Sequence, residues 1–247
     1  MTFKVIIPAR YDSSRLPGKP LIEIAGIPMI IHVARKARLS GAEEVIVATD
    51  DRRIQDEVEK HNFEAVLTSK NHLSGSDRIL EVATTKSWDS DTIIINVQGD
   101  EPMMDPQLIN ELHEQMIKTK ATFITAATKF DHFDNFSNPN NVKVVINNLS
   151  NALYFSRSMI PNANTFNDEI FDTNNSFHHL GIYGYRLSTL KEFCNLKKSN
   201  LEIIERLEQL RALDNGITIK VFLYNGKPFK GVDTLEDLIE IKKLFSS

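Results

Sequence analysis

The chain has few of the residues that staple or anchor a protein. It has one cysteine, Cys194, in 247 residues. That excludes an intramolecular disulfide and a cysteine-based zinc site. Cys194 lies in an apolar, helical-looking stretch and reads as a small core residue. No apolar run reaches membrane-spanning length, and no charged-then-apolar leader precedes the first strand pattern. The expected compartment is therefore the cytoplasm, with no membrane partner. Positive charge is not in excess: 29 Lys and Arg face 33 Asp and Glu, a formal net charge of −4, which argues against a nucleic-acid partner. Neither a Walker P-loop nor Gly-x-Gly-x-x-Gly is present, which disfavours P-loop and ordinary NAD chemistry. No repeat is visible, and no linker isolates a second core. The hydrophobic content of 41% suits one large α/β domain spanning residues 1–247.

Against this mildly acidic background, residues 5–20 stand out: Val-Ile-Ile-Pro-Ala-Arg-Tyr-Asp-Ser-Ser-Arg-Leu-Pro-Gly-Lys-Pro. An apolar strand ends at Pro8, and a polar loop follows with three cations, Arg10, Arg15 and Lys19. Arginine offers a planar fork to phosphate oxygens, and lysine adds a compact charge. Such a loop suits a polyphosphate better than a long polyanion; the bland alternative is a solvated basic loop.

Strand and helix patterns then alternate. Strands are predicted at 3–8, 44–48, 65–68 and 92–97, and helices at 28–40, 51–61, 77–86 and from Asp105-Pro106 to about 118. Continuous apolar strands with helices between them predict a mostly parallel, Rossmann-like sheet covered on both faces. Ligands of such sheets bind beyond the carboxyl ends of the strands. The loops at 9–20, 68–76 and 98–104 should share that edge. After about residue 127 the alternation stops. Strands are expected at 142–146, 152–156 and 180–185, with a long Asn-rich surface excursion at 159–176. A helix at 201–215, a strand at 217–223 and a closing helix at 234–244 complete the chain. Residues 140–186 thus read as an inserted strand-rich subregion for acceptor binding and dimerisation. Leu153, Phe155, Leu180, Ile182, Tyr183 and Tyr185 crowd there into an apolar face that a second copy could cover. The alternative is that the excursion folds back over it.

Two carboxylates point to a hard cation. Asp100 follows the clearest central strand in Gln98-Gly99-Asp100-Glu101-Pro102, and Asp233 precedes the last helix. Magnesium takes few carboxylates, with phosphates and water completing its shell. Either residue could instead be a turn or cap aspartate. Arg157, His179 and Tyr183 fall on accessible faces if their segments are strands, though sheet packing explains the tyrosines and histidine equally well.

The motifs Ile-Pro-Ala-Arg-Tyr (7–11) and Arg-Leu-Pro-Gly-Lys-Pro (15–20) resemble those of many sugar nucleotidyltransferases, and Ser-Gly-Ser-Asp-Arg (74–78) and Asn-Val-Gln-Gly-Asp-Glu-Pro (96–102) narrow the match. With Ala-Leu-Tyr-Phe-Ser-Arg (152–157), His-Leu-Gly-Ile-Tyr-Gly-Tyr (179–185), Leu-Glu-Gln-Leu-Arg (207–211) and Gly-Val-Asp-Thr (231–234), essentially the whole chain resembles the 3-deoxy-manno-octulosonate (Kdo) cytidylyltransferase family. The resemblance implies CTP and Kdo as substrates, CMP-Kdo and pyrophosphate as products, magnesium as cofactor and a homodimer. By position, Ala9, Arg10, Arg15 and Lys19 resemble the triphosphate loop. Ser74, Gly75, Ser76 and Arg78 resemble part of the nucleotide pocket. Asp100 and Asp233 resemble the metal ligands. Gln98, Arg157, His179, Tyr183, Glu208 and Gln209 resemble the sugar-acid site. Lys19, Arg15, Asp100 and Asp233 carry the implied catalysis. Sialic acid, amino-Kdo or a polyol phosphate as acceptor, and a non-catalytic nucleotide sensor, remain as alternatives.

Overall fold

Strand β1 (Phe3–Ala9) is the axis of a nine-stranded mixed sheet. The computed structural model describes residues 2–12, 16–162, 175–226, 229 and 231–246. Val5 and Ile7 of β1 point into one core layer and Ile6 into the other, all fully buried. Alternation across the pleat explains how one continuous apolar run serves both faces. Burying each such side chain contributes about 1.5–3 kcal/mol.

The first half of the chain is a regular α/β alternation. After β1 comes a short hairpin of β2 (Glu23–Ile24) and β3 (Ile27–Pro28), which the sequence reading did not anticipate. Then follow α1 (Met29–Arg38), β4 (Glu44–Thr49), α2 (Arg52–Lys60), β5 (Glu64–Leu67), α3 (Gly75–Thr85), β6 (Ile93–Asn96) and α4 (Pro106–Thr119). β1 pairs in parallel with β4 and β6, and β4 with β5. The helices start where their caps are: the Asp51 side chain accepts from Arg53 N, Ser74 from Asp77 N and Asp105 from Gln107 N. The Ser74 cap starts α3 two residues before the predicted position.

The second half departs from alternation. It comprises β7 (Phe123–Thr128), α5 (Phe133–Ser137), β8 (Lys143–Ile146), β9 (Ala152–Ser156), β10 (Ser176–Arg186), α6 (Leu187–Asn195), α7 (Asn200–Glu205), α8 (Leu210–Asp214), β11 (Lys220–Leu223) and α9 (Leu235–Ser246). β10 is twice the predicted length and does two jobs. Its first residues pair with β8, which pairs with β9, while its later residues run antiparallel between β6 and β7 in the main sheet. The register shifts between His179 and Tyr183, where Gly181 takes a φ of 69° that a side chain would oppose.

The expected continuous helix at 201–215 is broken. Arg206 adopts a left-handed conformation with φ 55° and ends α7, so Glu208 and Gln209 lie in a turn before α8. The apolar face expected at 152–185 is also mostly covered within the chain. Phe155 and Ile182 are fully buried, and Tyr185 packs against Phe123 in the core. Leu153 and Leu149 remain exposed. Among the described residues no helix is long and apolar enough to cross a membrane.

Candidate active site

The carboxyl ends of β1 and β6 lie side by side, and their loops open a cleft of about 310 Å³. Its walls come from the first loop (Ala9, Arg10, Lys19), the start of α3 (Ser74, Gly75, Arg78), the loop after β6 (Gln98, Asp100) and Asp233. The three loops expected to share one edge do so. Close packing at the strand ends depends on Gly99: a Cβ there would sit 2.8 Å from the Pro8 carbonyl oxygen.

Asp100 and Asp233 are 133 residues apart in sequence but converge on one cation. Lys19 Nζ is 2.6 Å from Asp100 Oδ2 and 3.4 Å from Asp233 Oδ1. The Val232 amide donates to the Asp100 carbonyl at 2.9 Å, which fastens the chain before α9 to the loop after β6. Thr234 and Asp237 form the reciprocal cap of α9: Asp237 N donates to Thr234 Oγ1, and Thr234 N to Asp237 Oδ2. The cap is therefore Thr234, and the Asp233 carboxylate is turned to Lys19. Asp100 likewise faces Lys19 rather than capping a helix. Behind them Glu101 is half-buried, with its Oε2 taken out of solvent. Desolvation first, then the charges of Asp100 and Asp233, push its carboxyl well above the usual range.

The two carboxylates fit magnesium. They already converge on the Lys19 ammonium, and a pair of carboxylates with space for phosphate and water is the donor set that this ion favours. Arg10 is exposed and lines the cleft. Arg15 lies outside the described residues.

The α3 side of the cleft is tied together by side-chain hydrogen bonds. Ser74 Oγ accepts from Asp77 N and donates to Asp77 Oδ2. Arg78 is 3% exposed, and its guanidinium donates to Asp50 Oδ2 at 2.9 Å and to Thr68 Oγ1. Asp50 also accepts from Tyr11 N at 3.4 Å. Asp50 thus links the first loop to α3, a role that the sequence signalled only as an aspartate at the end of the second strand.

A second cavity of about 130 Å³ opens beside Gly75 and Gln98, both of which it shares with the cleft. Ser76, Asn96, Tyr183, Glu208 and Gln209 also line it. Ser76 Oγ donates to Glu208 Oε2 at 3.1 Å. Burial raises the Glu208 carboxyl above its ordinary range and the Tyr183 hydroxyl well above its own. Gln209 is 4% exposed and Asn96 3%. Among the described residues, Gln209 Nε2 and Asn96 Oδ1 are buried without hydrogen-bond partners, as expected of groups awaiting a polar ligand. Asn96 was not among the expected sugar-site residues; its position at the strand's carboxyl end was the available signal.

His179 lies beside this cavity rather than in its wall. It is buried, its ring is 5.3 Å from that of Tyr183, and it faces a separate cleft of about 610 Å³ that shares Asp100 and Asp233. Thr125 Oγ1 donates to the Ile182 carbonyl, so His179 Nε2–H is the donor in its 2.9 Å bond to Thr125. Burial first, then the neighbouring His178, hold its pKa down to about 3, so the ring is neutral. Arg157 is not brought to either cavity. Its guanidinium donates to the carbonyls of Glu205 and Pro139, and the Glu205 carboxylate accepts from Ser156 Oγ and Arg157 N.

Comparison with known proteins points to one family. A cytidylyltransferase family profile matches residues 4–219. The chain is 47% identical over 253 aligned residues to a 3-deoxy-manno-octulosonate cytidylyltransferase from Nitrosococcus oceani, covering 99% of this chain and 96% of that protein. It is 45% identical to another of that name from Thioalkalivibrio sulfidiphilus, covering 99% of each. A solved CMP:2-keto-3-deoxy-manno-octonic acid synthetase complexed with CTP superposes with a TM-score of 0.89 at 40% identity, covering 100% of this chain and 99% of that one. A family profile over most of the chain and full-length relatives of one kind show that the chain belongs to the cytidylyltransferase family.

Proposed function

We propose that the protein activates Kdo with CTP, releasing pyrophosphate and CMP-Kdo for lipopolysaccharide assembly. One observation carries the reading: a carboxylate pair that meets the Lys19 ammonium lines a cleft of about 310 Å³, and a small polar cavity adjoins it at Gly75 and Gln98. The anomeric hydroxyl of the acceptor attacks the α-phosphorus in line. A new P–O bond forms as the hydroxyl proton is released to water, and the bond to pyrophosphate breaks with its electrons on the leaving oxygen. Charge spreads over phosphate oxygens, so preorganised cations are the main contribution a protein can make.

Lys19, Arg10 and Arg15 are assigned to the phosphates. Asp100 and Asp233 would hold magnesium, which when bound neutralises phosphate charge and acidifies the attacking hydroxyl. Lys19, which pairs with both carboxylates here, would with them occupied turn to phosphate oxygens. Gln98, Tyr183, Glu208 and Gln209 are assigned to acceptor hydroxyls, with His179 holding Tyr183 and the bulge of β10 in place. Arg157 could reach the acceptor carboxylate only by leaving its carbonyl partners. The assignment to a homodimer draws support from Leu149 and Leu153 on the β8–β9 hairpin and Ile203 and Ile204 on α7, all at least 58% exposed. CTP supply favours the cytoplasm.

The test is pyrophosphate release by the pure protein with each nucleoside triphosphate, with and without Kdo and magnesium. Release should require CTP, Kdo and magnesium together. Far better use of a sialic acid or a polyol phosphate than of Kdo would overturn the acceptor, and CTP binding without turnover on any acceptor would favour a sensor.

A further inference from the structure

The cleft has two poles. One carries Lys19, Asp100 and Asp233, the charged groups that a triphosphate and its metal require. The loop before α3 supplies His72 and Leu73 to the same cleft. Leu73 is 74% exposed, and with Pro8 it gives the cleft apolar edges. An exposed leucine and a proline beside an imidazole suit the faces and edge of a nucleobase better than those of a phosphate.

His72 is held by a dedicated partner. Its Nε2 bonds to Glu81 Oε2 on α3, and the same carboxylate oxygen accepts from Ser69 N at 2.9 Å. Burial alone would raise the Glu81 carboxyl. The Ser69 amide and His72 outweigh that and hold it below the usual carboxylate range. An ionised carboxylate only accepts, so Nε2 carries the proton, and in the neutral ring the lone pair is then on Nδ1. The loop is stiffened further by Asn71 N, which donates to Ser69 Oγ at 3.2 Å.

We propose that His72 is a base-reading residue: Nδ1 accepts a hydrogen bond from the exocyclic amino group of cytosine, with Glu81 as the positioning residue that fixes the tautomer. Uracil presents a carbonyl oxygen where cytosine presents N–H. Two lone pairs then meet, and the site discriminates by repulsion as well as by a lost bond. The proposal rests on the CTP reading above and names how that nucleotide is told from UTP.

Two measurements decide it. In wild-type protein labelled with 15N-histidine, CTP binding should shift the His72 Nδ1 resonance in the hydrogen-bonded direction, leave Nε2 protonated, and UTP should not reproduce the shift. In His72→Phe, which keeps a ring but removes the acceptor, the ratio of kcat/KM for CTP over UTP should fall about tenfold or more. Glu81→Leu should reduce the same ratio by a smaller factor. An unmoved Nδ1, an equal shift with UTP, or an unchanged ratio with both nucleotides weakened alike would overturn the proposal. If CTP is bound but never turned over, the functional reading fails while the resonance shift still decides the role of His72.

Discussion

The two halves of the sheet handle polar residues in opposite ways. In the parallel half, from β1 to α4, the polar side chains assigned to the ligand sit on loops after the strands and line an open cleft: Arg10, Lys19, Gln98 and Asp100. In the antiparallel half, from β7 to α8, the charges of Lys143 and Arg211 are taken into the core and matched there. Lys143 is fully buried between the carbonyls of Asn138 and Arg157, and Arg211 makes a two-point pair with Glu202 at 2.8 and 2.7 Å. Burying a charge is tolerated only when its partners are complete. One half therefore exposes charge for a ligand to use, and the other uses charge to shape a wall.

The largest effect should fall on the exposed pair. Asp100→Asn and Asp233→Asn should each lower turnover about 10³-fold by analogy with loss of a preorganised charge group, with little change in melting temperature, because Thr234 rather than Asp233 caps α9. Magnesium binding followed by calorimetry should weaken in parallel. A variant that melts far lower while keeping its activity would make that aspartate structural and blur the contrast between the halves.

The buried pair should respond in the other way. Arg211→Met should cost about 3–5 kcal/mol of stability, because Glu202 is left buried and unpaired. Arg211→Met with Glu202→Leu should recover much of the loss. Chemical denaturation of the single and double variants would show it, and equal losses in both would mean the cost was packing alone. Lys19→Ala comes next, with turnover down about 10²-fold and CTP affinity less affected. Near-normal turnover would make Lys19 a solvated cation and remove the parallel half's claim to the chemistry.

His179 offers a pH test of the buried half. Its folded-state pKa of about 3 lies below its ordinary value of 6.5, so the unfolded chain binds the proton more readily. His178 behaves alike at about 4, through burial and then the charge of Lys143. The stability these neutral rings contribute is complete above pH 6.5 and is lost as pH falls through that window. Each adds a slope of about 1.4 kcal/mol per pH unit. Urea midpoints from pH 7 to 4 should fall less steeply in His179→Leu than in wild type; identical slopes would mean that His179 titrates normally. The smallest effect is expected at the surface pair of Lys60 and Glu57, 3.4 Å apart with the lysine 72% exposed. Lys60→Ala should change stability by under about 0.5 kcal/mol, and a larger loss would show that exposed charge is structural here too.

The parallel half was legible because its signals are local. Val5, Ile6 and Ile7 are apolar whichever face they meet, and Asp51, Ser74 and Asp105 mark helix starts within two or three residues. The antiparallel half was less legible. Nothing local distinguishes Leu153, which is exposed, from Phe155, which is buried, until α8 packs on β9. The break at Arg206 was hidden by an apolar spacing that continues across it, and it decides where Glu208 and Gln209 point.

The sequence by itself determined the alternating sheet, the edge on which its loops gather and the residue types available there, because periodicity, capping and charge act over a few residues. Only the tertiary structure decided which of those residues meet. Asp100 and Asp233 converge on Lys19 because a backbone bond from Val232 to Asp100 joins distant segments. Arg157 and Arg78 are turned to carbonyl and carboxylate partners in the fold instead of to open space, because a guanidinium inside a protein must have its donors satisfied there.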